Sequence, residues 1–282
     1  MKVLVIGSGG QVGCALLATA PSAFTITHAS RAECDLADAD AVRALIGDAS
    51  PAIVINAAAY TAVDAAESDE EAARAVNAEA VANLVGAHAG KLVQIGTDFV
   101  FDGSANRPYQ PDDERAPLSV YGATKAAGED HLRPTDLLVR TSWVYGAGGR
   151  NFVTTMLRLM REKDEVRVVS DQIGSPTWAN GLASTIWKLV GKEAAGTFHH
   201  SDAGVASWYD FAVAIQEEAR AMGLLDRSAP IIPIRTTNYP TAARRPPFSV
   251  LDSSATRALL QDGYTHWRLN LWHMLREEKA LG

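Results

Sequence analysis

Cysteine is scarce in this chain: Cys14 and Cys34 are the only two among 282 residues. A disulfide framework needs more of them, and a metal cluster needs tighter spacing, so the expectation is a reduced protein of the cytoplasm with no bound metal. Long hydrophobic runs are also missing. Nothing approaches the ~18–20 apolar residues of a membrane span. Lys2 is followed by four apolar residues before Gly7, too few for the core of a secretion signal. Basic stripes are absent as well: the net charge is -7 and the densest basic spot is the pair Arg244-Arg245, which argues against a nucleic-acid partner. There is no internal repeat and no low-complexity tract. These absences leave a soluble globular chain with no membrane partner, 47% apolar, long enough for one large α/β unit and a smaller one.

What is present begins with a strand. Val3 to Ile6 is a β-branched and apolar run that ends at Gly7, and a helix from about Gln11 to Ala20 follows, stopped by Pro21. A second strand near Phe24 to His28, a helix around Ala39 to Ile46 and a buried strand over Ala52 to Ala58 complete a βαβαβ unit. Ser68 to Glu71 reads as a capping box opening a helix that runs to about Ala89 and ends at Gly90. Leu92 to Gly96 is a fourth strand, a helix carrying Tyr121 and Lys125 stops before Pro134, and Leu137 to Thr141 is a fifth strand. Such alternation implies an α/β, Rossmann-like, doubly wound parallel sheet. The expected partition is a dinucleotide-binding domain over 1–145 and a mainly substrate-binding region over 146–282, interleaved with the first. In that second region helices are expected near Phe152 to Glu162, Ala179 to Val190 and Trp208 to Met222, then an extended Pro-rich segment and a final helix after Trp267.

Gly7, Gly10 and Gly13 stand where the first strand turns into a helix. In a dinucleotide site such glycines permit the tight turn, let backbone approach a pyrophosphate, and allow close packing of helix on strand. The end of the second strand selects the dinucleotide, and here it carries Ser30-Arg31. A hydroxyl beside a guanidinium suits the 2′-phosphate of NADPH, although Arg31 reads equally as a solvated loop charge and NADH stays open. Asp35-Leu36 is placed to meet the adenine, and Ala57, Ala58 and Ala59 offer small residues beside the pyrophosphate and ribose.

The fourth strand delivers Thr97-Asp98 at its C-terminal end, the edge where open α/β sheets bind ligands. Tyr121 and Lys125, four apart on a helix, share a face, so the ammonium is expected to draw the phenol's proton affinity toward neutral pH. Thr97 would bond a substrate carbonyl oxygen, Tyr121 would donate its proton, and Lys125 would hold the nicotinamide ribose. Trp143, just past the fifth strand, is either core or a surface for a sugar. Arg244 and Arg245 are either a surface patch or a clamp for a diphosphate. His199-His200 reads as structural, because neighbours on a strand point to opposite faces and cannot share one metal. Glu67 to Glu71 reads as a solvated helix start.

The stretches Gly7 to Gly13, Asn56 to Asp64, Thr97 to Asp102, Pro117 to Lys125, Arg140 to Tyr145, Asp171 to Thr177 and Arg244 to Pro246 together resemble the extended short-chain dehydrogenase/reductase family over nearly the whole chain. The resemblance implies reduction of the C4 ketone of dTDP-6-deoxy-L-lyxo-4-hexulose to dTDP-L-rhamnose. It implies Thr97, Tyr121 and Lys125 as catalytic, Trp143 against the sugar, and Gly10, Gln11, Val12, Asp35, Leu36, Ala59, Tyr60 and Thr61 along the cofactor. Some members carry a magnesium-binding glutamate two positions past the third glycine, at a dimer interface. This chain has Ala15 there, so no metal is expected, and the assembly is either monomer or homodimer. The alternatives are a non-catalytic NADP-binding subunit, another nucleotide-sugar reductase, a 4-epimerase or a dehydratase. The Asp98-Phe99 that follows Thr97 disfavours the dehydratase, which usually shows Asp-Glu there.

Overall fold

The computed structural model describes residues 1–281. Its first half alternates as the periodicity requires: β1 (Lys2–Ile6), α1 (Gln11–Ala18), β2 (Thr25–Ala29), α2 (Ala39–Ala49) and β3 (Ile53–Asn56). Three short helices follow, α3 (Val63–Ala66), α4 (Glu70–Arg74) and α5 (Ala80–Ala87), the last two joined by a π-turn over Ala75–Glu79. Then come β4 (Lys91–Thr97), a 3₁₀ turn over Asp98–Val100, α6 (Val120–Glu129), β5 (Leu137–Thr141) and β6 (Val144–Tyr145). The second half contains α7 (Phe152–Glu162), β7 (Val166–Val169), β8 (Ile173–Gly174), β9 (Thr177–Trp178), α8 (Ala179–Gly191), β10 (Gly196–His199), β11 (Ala206–Ser207), α9 (Trp208–Ala221), β12 (Ile231–Ile234), α10 (Ser254–Leu260) and α11 (Trp267–Ala280).

Six strands form one parallel sheet in the order β2-β1-β3-β4-β5-β10. The four central strands from β1 to β5 are buried almost end to end on both faces, as parallel strands covered by helices on both sides must be. One face packs α1 and α8 through Leu16, Leu182, Ile186 and Trp187; the other packs α2 and α5 through Val42, Ile46, Val81 and Leu84. The chain leaves β1 toward β2 on one side and returns over it to β3 on the other. The strand order therefore reverses between β1 and β3, and the crevice outside their C-terminal ends is the expected ligand position of such a sheet. A separate core, built from α7, α9 and α11 with Tyr145, Val166 and Val168, lies in the second half.

Two sequence expectations fail around residues 68–90. Ser68 makes no capping box: its hydroxyl donates back to the Ala65 carbonyl, and Asp69, the residue before α4, caps nothing with its side chain. The helix is interrupted by the π-turn and ends at Ala87, not Ala89. Asn77 in that turn explains the interruption. Its side chain accepts from the Tyr60 N–H at 2.9 Å and donates to the Tyr60 carbonyl at 3.1 Å and the Thr124 hydroxyl at 3.2 Å, and one extra residue in the turn aims it there.

Candidate active site

Gly7, Ser30, Ala57 and Trp143 each follow the C-terminal end of a sheet strand by no more than two residues, and Thr97 is the last residue of β4. The sheet thus delivers them to one edge. A cleft of about 420 Å³ opens at the β1/β3 reversal, lined by Gly7, Gly10, Ser30, Arg31, Asp35, Leu36, Ala57, Ala58, Ala59 and Tyr60. Gly7 has φ +80°, and a Cβ there would stand 2.6 Å from the Ala58 nitrogen. A Cβ on Gly13 would stand 2.1 Å from the Gly7 carbonyl oxygen. Both are therefore glycine for close approach, whereas Gly10 is open toward the cleft, where backbone can meet a phosphate. The cleft fits a dinucleotide in its small-residue floor and its helix N-terminus.

The structure keeps some expected cofactor residues off that surface. Val12 is half-buried against the core, Gly13 lies under the turn and Thr61 is exposed. Gln11 accepts at 2.9 Å from the Asn151 amide, which also donates to the Gly146 carbonyl at 2.6 Å. Asn151 caps α7, so the cradle is tied to the second half. Gly9, Ala32, Cys34 and Val76 line the cleft although no sequence motif marked them. At the ribose end Arg31 is exposed, while the neighbouring Glu33 carboxylate accepts the Ser30 N–H at 2.6 Å. That bond holds the Glu33 carboxyl below its usual range.

Thr97 ends β4, and Tyr121 and Lys125 sit on one face of α6. Lys125 is buried and donates to the Ile95 carbonyl at 2.6 Å. Two of its three N–H donors remain without a bond to the described residues. Burial pulls its pKa down to about 8, partly offset by the Glu129 carboxylate. The Thr97 hydroxyl donates to Asp98 Oδ1 at 3.1 Å and accepts the Phe99 N–H at 3.2 Å. Burial pushes Tyr121 up to about 12, helped by the Asp98 charge and opposed by the Thr97 side chain. This direction is opposite to the expectation from helical spacing. Four residues apart guarantees a shared face but not proximity, and the ammonium is committed to a backbone carbonyl. Tyr121 is a neutral phenol here, in the state a proton donor must start from.

Phe99 packs edge-on against Tyr121 at 5.5 Å and also lines a second cavity of about 520 Å³. Its walls include Trp143, Phe152, Met156, Trp208, Arg245 and Ser249. Trp143 has φ +48° and stacks on Trp208 with centroids 3.5 Å apart, and Gly174 lies so close to its indole that a Cβ would stand 2.6 Å away. The indole is pinned from two sides and closes one wall. The two arginines separate: Arg245 lines the cavity and is bridged to Asp64 at 2.7 Å, whereas Arg244 is exposed and lines neither cleft.

The family model described as the RmlD substrate binding domain matches residues 1–280. The chain belongs to this family. It is 41% identical over 288 residues to a dTDP-4-dehydrorhamnose reductase of Burkholderia thailandensis, covering 95% of this chain and 96% of that one. It is 39% identical to the spore coat polysaccharide biosynthesis protein SpsK of Bacillus subtilis, covering 99% and 98%. The crystal structure of dTDP-4-dehydrorhamnose reductase from Bacillus anthracis in complex with NADP superposes with a TM-score of 0.92 at 34% identity, covering 98% of this chain and 99% of that one.

In this RmlD-family chain Trp208, Phe152 and Asn151 were not legible as site residues. Trp208 opens α9 behind a Ser207/Asp210 capping box, which is the one local signal that fixes its position. His199 and His200 do point apart: His199 meets the Tyr109 carbonyl at 3.0 Å, and His200 lines a different pocket. Ala15 is buried in the core between sheet and helices. Among the described residues no group of three or more His, Cys, Asp or Glu could hold a metal, and no helix is long and apolar enough to cross a membrane.

Proposed function

We propose that the chain reduces the C4 ketone of dTDP-6-deoxy-L-lyxo-4-hexulose to dTDP-L-rhamnose, with NADPH as preferred reductant and NADH as competitor. It is an NAD(P)H-dependent oxidoreductase of the RmlD family. The observation that carries this reading is that Thr97 ends β4 at the sheet edge and that Phe99, packed on Tyr121, lines the second cavity, while the glycine turn lines a dinucleotide-sized cleft, in a chain matched to that family over residues 1–280. NADPH, when bound, supplies hydride to the carbonyl carbon. Gly7, Gly10 and the Ala57 to Tyr60 turn would hold its phosphates and ribose, with Asp35 and Leu36 at the adenine. Lys125 would give its two free N–H donors to the ribose hydroxyls. Tyr121 would pass its phenolic proton to the ketone oxygen, and Thr97 would orient that oxygen. The stacked Trp143 and Trp208 would form the sugar wall, and Arg245, held by Asp64, would meet the diphosphate. Arg244 is exposed, which leaves it at most at the rim.

Arg31 supports NADPH, while the Glu33 carboxylate on the same turn suits an unphosphorylated ribose. The reading includes a division near residue 145, although β10 and α8 of the second region complete the first region's sheet layer. It also includes a cytoplasmic setting, no metal, and a monomer or homodimer. The test is NADPH absorbance loss with the keto sugar generated in situ from dTDP-glucose by dehydratase and epimerase. Stoichiometric oxidation with dTDP-rhamnose as product supports the reading. Folded protein that binds a dinucleotide but oxidises neither NADPH nor NADH overturns it in favour of another nucleotide sugar or a non-catalytic subunit. Tightly retained NAD on purification would point to a 4-epimerase.

A further inference from the structure

Asn56 and Gln94 stand opposite each other on β3 and β4, inside a sheet that helices cover on both faces. They are 0% and 3% exposed. A buried amide is costly unless its donors and acceptors are matched, and these are matched in one continuous chain. The Ala58 N–H, in the floor of the dinucleotide cleft, donates to Asn56 Oδ1 at 3.1 Å. Asn56 Nδ2 donates to Gln94 Oε1 at 2.8 Å, and Gln94 Nε2 donates to the Ile95 carbonyl at 3.1 Å. The same carbonyl accepts Lys125 Nζ at 2.6 Å. A backbone N–H only donates and a carbonyl only accepts, so both ends fix the direction of the chain, and neither amide can turn over without setting like groups face to face. Gln94 and Lys125 thus meet on one oxygen and occupy its two lone pairs.

We propose that Gln94 is a positioning residue for Lys125: by holding one side of the Ile95 oxygen it confines the ammonium to the other, and so aims the two remaining N–H donors of Lys125 at the cofactor ribose. Asn56 carries the position of the Ala58 peptide to Gln94. Gly7 packs on that same peptide, so the glycine turn, the cleft floor and the ammonium keep one register. Glu129, one turn along α6 from Lys125, is committed to Arg140 of β5 at 2.8 Å. The Ile95 carbonyl is therefore the ammonium's one hydrogen-bond partner among the described residues, and the group that shares that carbonyl controls where the ammonium sits.

The proposal rests on the ketoreductase reading above, through the role given there to Lys125, and the experiment separates the two. NADPH affinity is measured by the cofactor's own fluorescence for the wild type, Gln94→Met, Lys125→Met and the double variant, with melting temperatures for each. Gln94→Met should weaken NADPH about fivefold, the worth of one net hydrogen bond. Its KM for NADPH should rise in step, while the KM for the keto sugar stays within about twofold. In the Lys125→Met background the same change should leave NADPH affinity within about twofold, because the group that Gln94 positions is gone. An equal weakening in both backgrounds, or an equal rise in both KM values, overturns the proposal and reduces Gln94 to a support for Asn56. If Gln94→Met does not fold, Gln94→Glu takes its place. It keeps the acceptor that Asn56 needs, but its ionised carboxylate cannot donate to Ile95 and draws an N–H of Lys125 away from the ribose. Weaker NADPH binding at an unchanged melting temperature in Gln94→Glu supports the proposal, and unchanged NADPH binding overturns it. A wild type that binds NADPH but oxidises none with the keto sugar overturns the ketoreductase reading instead, and the binding measurements still test Gln94.

Discussion

Tyr121 and Lys125 are each held away from ordinary solution behaviour by burial, in opposite directions. A phenol near 12 does not ionise at working pH, so removing its oxygen should act on turnover. Tyr121→Phe is expected to cut kcat by about 10²–10⁴-fold, in the range of general acid catalysis, with little change in NADPH binding by fluorescence titration. At the ribose end the opposing charges of Arg31 and Glu33 give a second residue-scale prediction. Arg31→Ala should lower the ratio of kcat/KM for NADPH over NADH by about tenfold, the loss of one charge-assisted bond to phosphate. A third concerns acid stability. Burial and Arg140 pull His199 down to about 4, below the unfolded value near 6.5. The unfolded chain therefore binds more protons between those values, and the His199 contribution is full above about pH 6.5 and lost as pH falls toward 4. That difference is worth about 3 kcal/mol. Asp98 and Asp202, raised to about 6 and about 7, act the other way. The informative quantity is thus the gap in urea midpoint between His199→Gln and its parent, which should narrow from pH 7 to pH 4.5.

Helix α5 and its π-turn illustrate what an element does beyond its own hydrogen bonds. Asn77 is 2% exposed and pegs the Tyr60 peptide to Thr124 of α6. On that helix Gly128 must lack a side chain, because a Cβ would stand 2.1 Å from the Asn77 carbonyl. The turn therefore fixes both the floor of the cleft at Tyr60 and the seat of α6, the helix that carries Tyr121 and Lys125. Asn77→Ala leaves buried partners unsatisfied and should destabilise the fold by about 2–3 kcal/mol, measured by thermal or urea unfolding. NADPH affinity should fall with it, since Tyr60 lines the cleft.

At the scale of the whole molecule, the second half of the chain completes the first. β10 pairs with β5 as the sixth strand, and α8 covers α1, with the Trp187 indole donating to the Leu16 carbonyl at 3.0 Å and stacking on Phe24. Residues 1–145 alone would expose the β5 edge and the apolar face of α1. That fragment should therefore lack a cooperative unfolding transition and aggregate, whereas the full chain unfolds cooperatively. A cooperative melt for the fragment would show that the interleaving is dispensable.

The sequence by itself determined the βαβ rhythm, the glycine turn at residues 7–13 and the placing of Thr97, Tyr121 and Lys125, because these rest on local periodicity, on φ and on positions at strand ends. It misread Ser68, where the competing Ala65 carbonyl lay within one turn, and it missed the π-turn, from which Asn77 reaches Tyr60 and Thr124. Only the tertiary structure decided that Tyr121 is shifted up, that Arg245 faces a cavity while Arg244 faces solvent, and that Trp208 joins Trp143. Each of these depends on which distant segment packs alongside, and burial and contact between distant segments have no signature in local spacing.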